Sequence, residues 1–103
     1  MTSLVINLSV LSHQSVQVSL GGQNVRLVID TKQGAGTFMD IYKDGGPVIL
    51  GMQCRNRTPL VQLAYLGFVG DLAFYDMQGA EDPDYTGFGH RFILVWDSEA
   101  LLQ

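Results

Sequence analysis

The chain has 103 residues and a single cysteine, Cys54, so its length suits one domain and an internal disulfide is excluded. Ten acidic side chains against six basic ones give a net charge of -4, which speaks against nucleic-acid binding, because that needs a basic face. A hydrophobic content of 47% sets the chain apart from disordered sequences and is enough for a real core.

The opening MTSLVINLSV lacks a basic n-region and a small-residue cleavage site, so no cleaved secretion signal is expected. No apolar run approaches the roughly 18–20 residues of a membrane helix, and the expectation is a soluble protein. LVINLSVL (4–11) reads as a first strand. SHQS (12–15) links it to SVQVSL (15–20), where Val16, Val18 and Leu20 alternate with polar residues at the strand period of two. VRLVID (25–30) repeats the rhythm with Val25, Leu27 and Ile29. GGQN (21–24) between them is a turn in which Gly21 and Gly22 supply positive φ, so 15–30 reads as a β-hairpin.

TFMDIYK (37–43) follows the glycine-bearing connection TKQGAG. DGGP (44–47), with Gly45 and Gly46, turns it back into VILGM (48–52). Thr58-Pro59 has the form of an N-cap followed by proline at the first helical position. LVQLAY (60–65) is then one or two turns of helix, or equally an irregular crossing, and Gly67 and Gly70 punctuate the residues after it. DLAFYD (71–76) is the next strand. A long loop, MQGAEDPDYTGFG, carries Pro83 and Gly87 as turn residues and leads to HRFILVW (90–96). That strand is apolar on both faces, as for a strand central in a sandwich or at a packed interface. DSEALLQ (97–103) is a short helical turn or a tail.

About seven strands with turns every 8–12 residues indicate an all-β fold. The expected form is a single small antiparallel β-sandwich or partly open β-barrel spanning 1–103, with its core in 4–96 and at most one short helix.

Charge is unevenly spread. Residues 1–70 carry five basic and three acidic groups, and residues 71–103 carry one basic and seven acidic. Such a layout favours docking against charged neighbours or stacking of copies; a solvated acidic loop explains it as well.

Reactive chemistry finds little support. The two histidines, His13 and His90, accompany no nucleophile elbow, and one Cys with two distant His does not make a zinc site. Cys54 reads as a buried spectator thiol, with Arg55 and Arg57 as neighbours able to lower its pKa. No catalytic residue, metal site or cofactor is expected. The acidic stretch Glu81, Asp82, Asp84 and Tyr85 beside His90 is the best candidate for a divalent-ion or ligand site. Against it, Tyr85 and Phe88 suit pinning the loop to the core, and His90 and Arg91 stand near enough in sequence to pair with the acids. Aromatic residues cluster in the second half, and some suit partner contacts. The candidate partner interface is Arg55, Arg57, Tyr65, Phe68, Asp82, Asp84, Tyr85 and Phe88.

The order of these pieces is similar to that of the small baseplate plug family of contractile-tailed phages, first described in cyanophages. The likeness rests on the hairpin SVQVSLGGQNVRLVI, the aromatic strand and turn TFMDIYKDGGPVILG, the stretch TPLVQLAYLGFVGDLAFYD, and the ending DPDYTGFGHRFILVW, and it covers about residues 4–96. The resemblance implies a non-enzymatic virion structural protein in the tail baseplate, assembled in the host cytoplasm. It implies as partners the hub, tail tube and spike proteins, with copies of itself or symmetric neighbours, and neither specific nucleic acid nor membrane. With it comes an expectation that the acidic segment 76–84 faces the tail channel or an oppositely charged neighbour.

Overall fold

The computed structural model describes residues 3–61 and 69–98. Within them lie seven strands: β1 (Ser3–Ile6), β2 (His13–Leu20), β3 (Gln23–Lys32), β4 (Gly36–Lys43), β5 (Gly46–Gln53), β6 (Asp71–Asp76) and β7 (Phe92–Asp97). A 3-10 turn spans Tyr85–Gly87. Two antiparallel sheets form, one ordered β1-β7-β6 and the other β2-β3-β4-β5. This is the sandwich form of the expected fold. No helix among the described residues is long and apolar enough to cross a membrane.

The period-two pattern sets the layers. Leu20, Val25, Leu27 and Ile29 on β2 and β3, with Met39 and Ile41 on β4, turn inward. Leu72 and Phe74 on β6 meet them from the other sheet, with Phe92, Leu94 and Trp96 on β7. Fully burying a side chain of this size stabilises by about 1.5–3 kcal/mol, so this one cluster dominates the fold.

β1 is shorter than the expected 4–11. The Gln14 carboxamide accepts from the Ser9 amide at 3.0 Å and donates to the Ser9 and Leu11 carbonyls at 2.7 and 3.2 Å. Those backbone groups find their partners in a side chain rather than in a ladder, and the chain crosses from one sheet to the other there. The first hairpin turn is tighter than GGQN. Only Gly21 and Gly22 turn, with φ of 58° and 80°, and Gln23 opens β3. Likewise Asp44 and Gly45 (φ 49° and 87°) make the second turn, and β5 begins at Gly46. Pro47 lies on this edge strand, where its missing N–H costs no ladder bond.

Thr58 does not cap a helix within the described residues. Its hydroxyl donates to the Asn56 carbonyl at 3.1 Å. The chain then runs beside β6, with the Arg57 amide on the Phe74 carbonyl (2.7 Å) and the Leu60 amide on the Leu72 carbonyl (2.9 Å). Most of the candidate helix 60–65 lies outside the described residues, as do Gly67 and residues 99–103. Asp97 is the last residue of β7.

Candidate partner-binding surface

The acidic loop is the segment between β6 and β7. Its first acid, Asp76, is buried and forms a two-pronged pair with Arg91, Nε to Oδ1 and Nη2 to Oδ2, both at 2.9 Å. The amides of Gln78 and Glu81 also donate to it, at 2.9 and 2.8 Å. Arg91 holds the Asp76 carboxyl well below the usual carboxylate range, with the two amides assisting and burial opposing. In return Asp76 pushes the Arg91 guanidinium further up. Arg91 reaches on to Glu81 at 3.2 Å.

The later acids also serve the loop. Asp82 accepts the Asn56 amide at 3.0 Å. Asp84 caps the 3-10 turn, accepting the Thr86 amide at 3.1 Å and the Thr86 hydroxyl at 2.5 Å. Pro83 is buried, and its carbonyl accepts the Thr37 hydroxyl at 2.8 Å, tying the loop to β4. Gly87 permits a close approach: a Cβ there would stand 2.5 Å from the Phe92 ring. His90 is exposed. Among the described residues no three His, Cys, Asp or Glu side chains gather closely enough to hold a metal ion.

The candidate interface residues divide accordingly. Tyr65 and Phe68 lie outside the described residues. Phe88 is 1% exposed and stacks on Phe74 with ring centroids 5.6 Å apart. It is therefore a core residue and offers no surface on this chain, because a ring in a loop packs wherever the loop is pinned. Tyr85 is half-buried against the core and borders an open depression with Ser12, Thr31, Gln33 and Asp84. Arg55 and Arg57 are exposed. Arg55 donates to the Gln53 side chain at 3.0 Å, and the Arg57 guanidinium stands 5.3 Å from the centre of the Tyr75 ring.

Arg55, Arg57 and Asp82 are thus brought together through Asn56. The basic and acidic segments of the sequence adjoin rather than occupying opposite poles. Cys54 is buried, which pushes its thiol up to about 12; neither flanking arginine overcomes that.

Asp71 is a buried acid that no sequence motif singled out. It is 2% exposed, and its Oδ1 accepts the amides of Leu60, Val61 and Leu72 at 3.1, 2.8 and 2.7 Å. Its one sequence signal is a carboxylate opening an apolar strand just after a glycine.

The family model described as the cyanophage baseplate Pam3 plug gp18 matches residues 3–99. The chain belongs to that family. No curated protein matches it. The matched span takes in both sheets, the acidic loop and the segment carrying Arg55 and Arg57. The family is that of a structural baseplate plug, so the chain is placed among viral structural proteins of the tail baseplate.

Proposed function

We propose that the chain is a non-enzymatic component of a contractile-tail baseplate hub that plugs or links the distal end of the tail tube. The family match over residues 3–99 carries this reading. The geometry supports it, because Asp82 is occupied by the Asn56 amide, Asp84 by the Thr86 amide, and the lone thiol is buried. A plug must hold in the resting tail and let go on triggering. Several modest contacts repeated around a symmetric hub achieve both through avidity. The partners are then hub, tube and spike proteins.

The decisive experiment is mass spectrometry of purified particles, combined with labelling of the tail tip. Stoichiometric copies at the distal end support the role; absence from washed particles refutes it. The acidic loop is proposed to face the channel or a basic neighbour, where its charge repels passing DNA phosphates. Asp82 and Asp84 also shape the loop, so the substitution that separates charge from shape is Glu81→Gln, whose side chain is 73% exposed. Altered assembly or genome ejection is expected, and unchanged infectivity with normal tails removes the channel-facing assignment.

A further inference from the structure

A sheet edge carries a row of unpaired backbone N–H and C=O groups, ready to pair with another chain unless something blunts it. Among the described residues, three of the four sheet edges are blunted. β1 has only four residues. β6 is flanked by the segment after β5, whose Arg57 and Leu60 amides bond the Phe74 and Leu72 carbonyls. β5 carries Pro47, and its pairing with β4 breaks register where the Gly51 amide (φ 67°) turns to the Asp40 carboxylate at 2.6 Å. β2 is the exception. It pairs with β3 without a break from His13 to Leu20, and it holds no proline, glycine, Lys, Arg, Asp or Glu.

The ladder shows which groups β2 leaves over. A two-residue turn makes Leu20 and Gln23 a hydrogen-bonded pair, and at the other end the Thr31 amide donates to the Ser12 carbonyl at 2.7 Å. Antiparallel pairing alternates, so the even-numbered residues of β2 direct their backbone groups to β3, and Ser15, Gln17 and Ser19 turn theirs outward. All three residues are exposed, and among the described residues no hydrogen bond reaches those groups. The inward side chains beside them are short of cover too. Val16 and Val18 pack on the core but stay half-buried. The chain runs from β5 to β6 through Cys54, bonded to Thr37, and Asn56, bridged to Phe74, so β1 and β2 share the opposite side of the sandwich. There Leu4, inward-facing opposite Trp96, is still 42% exposed.

We infer that β2 pairs antiparallel with β2 of a second copy, about a two-fold axis at Gln17, joining two four-stranded sheets into one continuous sheet. The sequence of the edge selects its own copy. Ser15-Val16-Gln17-Val18-Ser19 reads the same in both directions, so antiparallel pairing sets Ser15 against Ser19, Gln17 against Gln17 and Val16 against Val18. The outward groups of Ser15, Gln17 and Ser19 then form about six backbone hydrogen bonds in register. On the inner face the two valines of each copy cover those of the other. On the outer face only uncharged groups meet, so no like charges oppose one another. Addition of a strand to an open edge is a recurrent mode of recognition, and a surface that fits itself is the isologous interface of a two-fold dimer. The inference rests on the reading that the chain works through protein contacts in an assembly, and names the edge it uses for its own copy.

Sedimentation velocity and amide hydrogen exchange on the full chain, across a concentration series up to millimolar, test it. The dimer fraction should rise with concentration, and the amides of Ser15, Gln17 and Ser19 should pass from fast exchange to protection with it. Gln17→Pro removes an N–H that the β2–β3 ladder does not use, so it should abolish the dimer while the monomer stays folded. Gln17→Lys keeps the backbone whole and sets two ammonium groups face to face across the axis, which should weaken association by about ten-fold or more. Gln17→Glu should do the same, and an equimolar mixture of these two charged variants should recover the dimer. A chain that stays monomeric throughout, or a dimer that leaves those three amides unprotected or ignores Gln17→Lys, overturns the inference. Those results leave the baseplate role standing if the protein is found in washed particles. A dimer paired through β2 in a protein absent from particles removes the baseplate role and leaves the dimer.

Discussion

Gly70 offers a quantitative test of how the two sheets are joined. Its φ is +79°, a backbone region that L-residues enter at a cost of roughly 1–2 kcal/mol. A Cβ added there would also fall well inside contact distance of the Asp97 carbonyl and stand 2.8 Å from Trp96 Nε1. Neither neighbour gives easily. The carbonyl ends the central strand of its sheet. The indole is 2% exposed and donates to the Val69 carbonyl at 3.0 Å. Gln23 holds the same residue, donating to the Val69 carbonyl at 3.3 Å and accepting its amide at 2.9 Å. Overpacking of this kind costs about 1–3 kcal/mol more. Gly70→Ala should therefore destabilise by about 2–5 kcal/mol, a large part of the roughly 5–15 kcal/mol typical of a domain.

Gly22 is the control. Its φ is +80°, but nothing lies within 4 Å of an added Cβ. Gly22→Ala carries the backbone term alone, about 1–2 kcal/mol, and the gain from a stiffer unfolded chain is common to both variants. At about 4–8 °C per kcal/mol for a domain near this size, Gly70→Ala should unfold on the order of 5–20 °C below Gly22→Ala. Calorimetry or thermal circular dichroism reads the difference directly. Equal midpoints for the two variants would refute the close approach of residue 70 to the end of β7.

Phe88→Ala should cost about 3–5 kcal/mol of stability in denaturant titration, as expected for a buried aromatic ring; a loss of association with unchanged stability would contradict its place beside Phe74. The Cys54 thiol, pushed up to about 12 by burial, should resist a disulfide reagent near pH 8 until the chain is unfolded, and prompt labelling of the native protein would count against its burial. Asp76 has a folded-state pKa depressed by Arg91, so its contribution to stability is complete above the ordinary Asp value of about 3.9 and drains away as pH falls below that toward the folded-state value. Arg91→Gln should accordingly lie furthest below the native protein at neutral pH and draw level in acid. A stability gap unchanged between pH 7 and pH 3 would show that Asp76 is not the group being held.

The strands were legible because their signal is local. Alternating Val16, Val18 and Leu20, then Val25, Leu27 and Ile29, need only the period of the pleat and a two-glycine turn to declare a hairpin. Errors came where a side chain took over backbone bonds at short range, as Gln14 does in ending β1 early. The loop was hidden for a different reason. Thr37 bonds Pro83 across 46 positions, Asn56 bonds Asp82 across 26, and Arg91 bonds Asp76 across 15. No spacing rule links residues so far apart, and an acidic loop that binds an ion looks the same in sequence as one that binds itself. Phe88 illustrates the limit, since an aromatic in a loop carries no periodicity to say which way it faces.

The long-range bonds also bear on how a protein of this family can act. Between the sheets, the apolar core is supplemented at the periphery by side-chain ties: Thr37 to the Pro83 carbonyl, Gln23 to Val69, and Trp96 to Val69. Beside β6, Asn56 is held by Asp82 and in turn accepts the Asp76 amide at 2.8 Å. Opening the sandwich would expose the core and break the ties of Thr37 and Gln23 to the facing layer together, and leaving buried polar groups unpaired is costly. A block held this way responds to force as a unit. On the proposed role, release therefore occurs where the protein meets its neighbours, and the side chains that set the release threshold are those left over after the fold is satisfied. The exposed side chains of Arg57 and Val5 belong to that remainder; Asp76 and Phe88 do not.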